Sequence, residues 1–231
     1  MKLIRTHLLT AVAAVFLALA PAPLLAQAQN VTYLLPAPGS LPAFAPWMVA
    51  QQRGYFKDEG LNVTFQVARG GVDVAKQVGA GNAVIGGAIG DTPILVRSNG
   101  VPVKSVAVLG GRSLTQLVIN KDKGVNSVKD LKGKVVTTMA YQDTTFFALL
   151  GMLATQGMTK DDINAQAVGP VNIWKLFAAG EAAAMAAVPE WTYYAKTQAP
   201  NIKTEVIPSD TLFKSMAQAI VVSDETIQKN P

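Results

Sequence analysis

The chain has 231 residues, half of them apolar, a formal net charge of +5, no cysteine and one histidine, His7. The missing cysteines exclude disulfides, thiol nucleophiles, Cys-ligated zinc and a lipid anchor on an N-terminal cysteine. The charge is too mild for a nucleic-acid footprint, which needs Lys and Arg clustered on one face; the densest basic stretch, Lys121 to Lys134, interleaves Asp122 and Asp130.

The N-terminus reads as a targeting segment. Lys2 and Arg5 form a basic start, Leu8 to Ala20 is apolar, Pro21 and Pro23 break the run, and Ala26-Gln27-Ala28 offers an A-x-A cleavage site. An apolar run of this length falls short of the roughly 20 residues that span a bilayer. The expectation is a cleaved signal peptide over residues 1–28, export to the periplasm and a mature chain from Gln29. Removing Lys2 and Arg5 from the 20 basic residues leaves 18 against 15 acidic ones. His7 leaves with the signal peptide, so no His general base, Ser-His-Asp triad or His metal ligand remains. The remaining length suits two lobes of roughly 100 residues each.

Val31 to Leu35 is an apolar run of strand length, followed by the Gly/Pro loop Pro36 to Pro42 and a helix from Pro46 to Arg53. Proline suits a first helical turn, whose N–H lacks a partner anyway, and Gly54 supplies a left-handed stop. Tyr55 to Gly60 connects to Leu61–Val67, which alternates with period two and reads as a second strand. The loop of this unit lies at the carboxyl end of its first strand, where ligands sit in open α/β sheets. Gly70-Gly71 then opens a helix over Val72 to Val78, Ala83 to Gly87 is a short strand, and Asp91 caps a helix begun by Thr92-Pro93. Val101 to Leu109 and Leu114 to Asn120 read as further strands. After the polar passage come a strand (Val135 to Met139), a helix (Thr144 to Gln156), a strand (Gln166 to Val168), a helix (Val171 to Ala179) and a strand (Ala183 to Val188). Strands over Ile202 to Ile207 and Ala217 to Val222 end the series, the last rejoining the first lobe. Such alternation predicts a mostly parallel sheet with helices on both faces.

Three segments carry a resemblance. Arg53-Gly54-Tyr55-Phe56-Lys57-Asp58-Glu59-Gly60-Leu61 resembles a segment of the periplasmic solute-binding proteins of ABC transporters, in the nitrate/sulfonate/taurine-type group, whose fold is shared with pyrimidine-precursor binders. Asp130-Leu131-Lys132-Gly133-Lys134 before an apolar strand resembles the opening of that family's second lobe. Gly180 and Glu190, in the stretch that ends Ala187-Val188-Pro189-Glu190-Trp191, match a third segment. This chain departs from it with Ala182-Ala183 where an acidic-Ala pair is usual, and with Trp191 where proline is usual.

The resemblance runs from Val31 to the C-terminus. It implies an α/β, two-lobed periplasmic-binding-protein fold with a hinge. The first lobe would be discontinuous, over residues 29–122 and 211–231, and the second would cover 123–210. The implied function is capture of a small organic anion (sulfonate, nitrate or carboxylate-like) for an ABC permease, with no cofactor, metal or nucleic acid. The alternative is a thiamine-pyrimidine-precursor binder or a related pyrimidine-synthesis enzyme. Those enzymes use a histidine and a cysteine-rich motif that the mature chain lacks, so a non-enzyme is expected. Proteins of this kind usually continue with helices that complete the first lobe. From that, a chain stopping at Pro231 is expected to be poorly stable or self-associated.

The cleft would be built from loops at strand ends, with Ala140 to Thr145 and Pro189 to Trp191 as those of the second lobe. Helix starts at Asp91-Thr92 and Thr144-Thr145 offer free N–H groups and a positive dipole end to an anion. Arg112 would add a bidentate contact, or is a surface arginine. Phe44, Trp47, Tyr141 and Trp191 would form an apolar or stacking wall, each reading equally as core. Ser40, Gln142 and Glu190 complete the candidate ligand-binding set. Asp143 would repel an anion and suits a ligand amine instead. The glycine pairs Gly86-Gly87 and Gly110-Gly111 continue as neither a Walker A loop nor G-x-G-x-x-G, and read as tight turns.

Overall fold

The computed structural model describes residues 28–230, so the expected signal peptide lies outside the described residues except for Ala28. The first part of the chain forms β1 (Gln29–Leu35), α1 (Ala45–Gln52), α2 (Tyr55–Asp58), β2 (Leu61–Val67), α3 (Gly71–Gly79), β3 (Ile85–Ile89), α4 (Thr92–Arg97) and β4 (Val103–Val108). Next come β5 (Gln116–Asn120), β6 (Val135–Thr138), α5 (Thr144–Ala154), β7 (Asn164–Ala167), α6 (Gly169–Ala178), β8 (Ala184–Ala187), α7 (Pro189–Gln198) and β9 (Thr204–Pro208). The chain returns through β10 (Gln218–Ser223) and α8 (Asp224–Lys229).

The strands make two five-stranded sheets of matching order, β2-β1-β3-β10-β4 and β7-β6-β8-β5-β9. In the first, β1 pairs in parallel with β2 and β3, while β10 runs against β3 and β4. In the second, β6 pairs in parallel with β7 and β8, while β5 runs against β8 and β9. Both sheets are therefore mixed. Each holds four strands of its own β-α-β units and one antiparallel strand delivered by a crossing from the other sheet.

This corrects the expected boundary at residue 122, because β5 belongs to the second sheet. Its physical reason is legible in the strand itself. Leu117, Val118 and Ile119 are three consecutive buried apolar residues, a pattern that needs cover on both faces. The second sheet supplies it. Leu117 and Ile119 pack with Val136, Leu149 and Leu153 on the α5 side, while Val118 packs with Ile173, Phe177 and Met185 beneath α6 and α7. Each such side chain, fully buried, contributes about 1.5–3 kcal/mol.

The first sheet is covered less evenly. Against α3 it buries Leu34, Val74, Val78, Ala88 and Val221. Its other face is closed over β1 and β2 by Phe44, Trp47 and Met48 around Tyr33 and Leu35. On the edge strand β4, Val106 and Val108 remain about half exposed, at 53% and 45%.

Two further local expectations are corrected. Tyr55–Asp58 forms a helical turn where a plain connection was expected. Pro189-Glu190-Trp191, read as a loop, is the first turn of α7, with Val188 extended as its N-cap and Pro189 at the position that needs no N–H partner. The two crossings, 109–115 and 209–217, are tied together. Ser209 N–H donates to the Thr115 carbonyl at 3.0 Å, and the buried hydroxyls of Thr115 and Ser209 lie 2.5 Å apart.

Candidate functional site

The carboxyl ends of β1 and β3 face those of β6 and β8 across a cleft between the sheets. An inner cavity of about 80 Å³ is walled by Phe44 and Ala88 from the first unit and Asp143, Thr144, Glu190 and Trp191 from the second. It continues into a neighbouring space of about 220 Å³ beside Trp47 and Leu109. Ala43, Leu114, Glu190 and Gln218 line both parts.

Glu190 sits in the first turn of α7 and reaches across the cleft. Its Oε1 accepts the Ala43 N–H at 3.1 Å, an amide near the start of a short helical turn (Pro42–Phe44) and therefore without an intrahelical partner. Its second oxygen has no hydrogen-bond partner among the described residues.

Asp143 caps α5. One carboxylate oxygen accepts the Thr145 N–H at 2.8 Å and also the Thr145 hydroxyl. The other oxygen faces the first unit, where a Cβ at Gly70 would stand 3.0 Å from it. Gly70 has φ +99°, a conformation glycine adopts without steric cost, so this residue both starts α3 and lets the second unit come close. Burial pushes the Asp143 carboxyl pKa above its ordinary value, opposed by hydrogen bonds from Thr145 and the Thr144 backbone. The starts of α4 and α5 meet over Gly71. The hydroxyl oxygens of Thr92 and Thr144 lie 3.3 and 3.2 Å from where its Cβ would be.

Of the residues expected from the sequence, Phe44, Trp47, Thr144, Thr145, Glu190 and Trp191 line the cleft. Thr92 stands behind Gly71. The others are elsewhere. Ser40 is exposed and outside the lining. Asp91 does not cap α4; its carboxylate bonds to the Ser215 hydroxyl and the Met216 N–H instead, tying β3 to the second crossing. Tyr141 is half exposed and donates its hydroxyl to the Ala165 carbonyl at 2.9 Å. Gln142 borders a separate hollow of about 190 Å³ between α3, α4 and Phe147. Arg112, with its side chain 89% exposed, lies 3.8 Å from Asp210 on the other crossing. No Lys or Arg lines either part of the cleft among the described residues.

Sequence reasoning missed Tyr33 and Gln218. Gln218 had a signal: it is a polar residue heading a strand that is apolar from Ala219 to Val222.

Comparison with known proteins follows this geometry. A family profile described as NMT1/THI5 like matches residues 41–231. The chain belongs to the NMT1/THI5-like family. Its relatives include the riboflavin-binding protein RibY of Chloroflexus aurantiacus, 27% identical over 81% of this chain and 54% of that protein. A 4-amino-5-hydroxymethyl-2-methylpyrimidine phosphate synthase of Aspergillus parasiticus is 29% identical over 61% of this chain and 40% of its own length. This NMT1/THI5-like chain thus spans about half the length, or less, of these curated relatives. Among solved structures, the alkanesulfonate-binding protein SsuA of Xanthomonas axonopodis pv. citri, bound to MOPS, superposes with a TM-score of 0.65 at 21% identity. The superposition covers 87% of this chain and 70% of that one. At that identity the likeness establishes fold alone: the chain has the α/β periplasmic-binding-protein fold.

Proposed function

We propose that the protein is a solute-binding protein of the ABC-importer type, working in the periplasm, that captures a small planar nitrogen heterocycle bearing N–H donors and releases it unchanged to a permease. The observation that carries this reading is the lining of the cleft: two carboxylates, Asp143 and Glu190, set between Phe44, Trp47 and Trp191, with no cationic side chain. Like charges a few ångströms apart repel strongly in a low-dielectric site, so an unpaired sulfonate or nitrate is poorly served here. A ligand N–H is well served, since it would satisfy the carboxylate oxygen of Glu190 that Ala43 leaves free. The aromatic walls suit a flat ring. The names of the relatives, a riboflavin binder and synthases of an aminopyrimidine phosphate, point to the same chemistry.

Binding rather than turnover is favoured by the side chains available. Beyond His7 the chain has no histidine, and it has no cysteine. Two units joined by two crossings suit closure about a hinge around a ligand.

Calorimetry with four probes tests this: riboflavin, 4-amino-5-hydroxymethyl-2-methylpyrimidine, taurine and nitrate. A heterocycle is expected to bind with 1:1 stoichiometry and to be recovered chemically intact. Binding of taurine or nitrate with both heterocycles silent would reverse the ligand class. Iron-dependent conversion of a bound ligand would make the protein an enzyme.

A further inference from the structure

Two polar side chains of the first sheet are buried without partners, Gln218 in the lining of the cleft and Tyr33 beside it. Tyr33 on β1 and Gln218 at the start of β10 are 5% and 8% exposed. Neither the Tyr33 hydroxyl nor the Gln218 side-chain nitrogen has a hydrogen-bond partner among the described residues. Buried polar groups are nearly always paired, and each exception calls for a reason.

The sheet register brings them together. β3 lies between the two strands, with Tyr33 opposite Ile85 and Gln218 opposite Ile89. Gly87 is the residue of β3 that lies between them. A Cβ there would stand 2.9 Å from Tyr33 Oη and 3.0 Å from Gln218 Nε2, so both groups converge over Gly87 and take up the space that a side chain there would need. Gln218 lines both parts of the cleft. The Tyr33 ring is held by Trp47 and Phe65, at centroid distances of 5.4 and 5.6 Å, which leaves its hydroxyl little freedom to seek water. Burial raises the Tyr33 pKa, so the hydroxyl keeps its proton and can donate it. An amide N–H₂ can only donate.

We propose that Tyr33 and Gln218 form an acceptor-binding subsite over Gly87 that takes a ring nitrogen or carbonyl oxygen of the ligand, while Glu190 takes a ligand N–H. This rests on the solute-binding reading above and sharpens it: the ligand must carry an acceptor edge as well as a donor edge. An analogue with C–H in place of the acceptor would leave two buried donors unpaired, which is where polar sites discriminate most strongly.

Two measurements on the purified protein test the subsite separately from the function. The first needs no ligand. If Tyr33 and Gln218 are unpaired in the empty protein, Tyr33→Phe and Gln218→Met should melt as high as the wild type or higher, by roughly 2–4 °C each. Lower melting temperatures in both variants would mean that the groups serve a structural partner, a buried water included, and would overturn the proposal. The second is calorimetry with 4-amino-5-hydroxymethyl-2-methylpyrimidine and riboflavin. Each variant should lose about tenfold or more in affinity for whichever probe the wild type binds. Wild-type binding with both variants equally tight would overturn the subsite and leave the solute-binding reading standing. A wild type that binds neither heterocycle would overturn that reading, and the melting temperatures would still decide the subsite.

Discussion

β3 and β8 hold equivalent central places in the two sheets, each flanked by a parallel neighbour and by the antiparallel strand from a crossing. Their sequences differ. β8 is Ala184-Met185-Ala186-Ala187, buried throughout, with Met185 against Ile173 and Phe177. β3 carries Gly86 and Gly87 at its centre. The space at Gly86 is taken by apolar Val74, which a Cβ would meet at 2.4 Å, whereas at Gly87 it is taken by the polar ends of Tyr33 and Gln218. One topology thus gives an apolar floor in the second unit and a partly polar one in the first. The carboxylates of the cleft come from the second unit at helix starts, where backbone N–H groups or a neighbouring amide already engage them. The unpaired donors come from the first unit, on strands, where nothing local can satisfy them.

The sharpest way to break this comparison is to remove packing from each unit. Phe177 is fully buried, and Phe177→Ala should cost about 3–5 kcal/mol in urea unfolding. Val108→Ala, on the half-exposed edge of the first sheet, should stay within about 0.5 kcal/mol of the wild type. Similar costs for the two would mean that the sheets are packed alike and that the asymmetry is confined to Gly87.

The join between the units comes next. Thr115→Val leaves the buried Ser209 hydroxyl without the partner that ties the crossings, and should destabilise by about 1–3 kcal/mol. A neutral result would show that the hydroxyl pair adds nothing to the join beyond its backbone bond.

The fold was legible in the sequence wherever a strand or helix had one wet face. Leu61–Val67 alternates and became β2; Gly71–Gly79 places Val72, Val74, Ala75 and Val78 inward and became α3. Partner choice was not legible. β5 is apolar on both faces, which marks a central strand without saying of which sheet, and only its pairing with β8 and β9 assigns it. Within the site, Thr144, Thr145 and Glu190 were readable because helix starts and a family segment announce them. Tyr33 was not, and Gln218 showed only as a polar head on an apolar run, since an unpaired polar group exists only once its neighbours are known. Asp91 was misread because an acid before Thr-Pro has the pattern of a cap, and the pull of Ser215, far along the chain, is invisible in that pattern.

Asp143 allows a pH test of the second unit's half of the site. Burial raises its carboxyl pKa above the ordinary 3.8, so between those two values the folded protein holds a proton that the unfolded chain has lost. The contribution of Asp143 to stability should therefore fall as pH rises through that window. Asp143→Asn keeps an oxygen for the Thr145 N–H and has no charge to bury. It should flatten this part of the melting-temperature profile and be at least as stable as the wild type at pH 7. Asp143→Ala loses the cap and should cost about 0.5–2 kcal/mol. A wild type that gains stability with pH relative to Asp143→Asn would mean that a cation or donor pairs the carboxylate, and the electrostatics argued for the cleft would change sign.

The smallest expected effect belongs to Arg112, which the sequence offers as either an anion contact or a surface arginine. Arg112 is the side chain an anionic ligand would want, yet it projects from the first crossing, largely exposed, toward Asp210 on the second. At 3.8 Å and that exposure the pair contributes roughly 0–1 kcal/mol. Arg112→Ala should lower the melting temperature only slightly, with the difference shrinking further as salt is raised. Affinity for any heterocycle that the wild type binds should be unchanged, because the side chain lines neither part of the cleft. Should calorimetry instead give a loss of tenfold or more, Arg112 would have to swing into the cleft on closure. The site would then hold a cation as well as two carboxylates, and an acidic ligand would become the better reading.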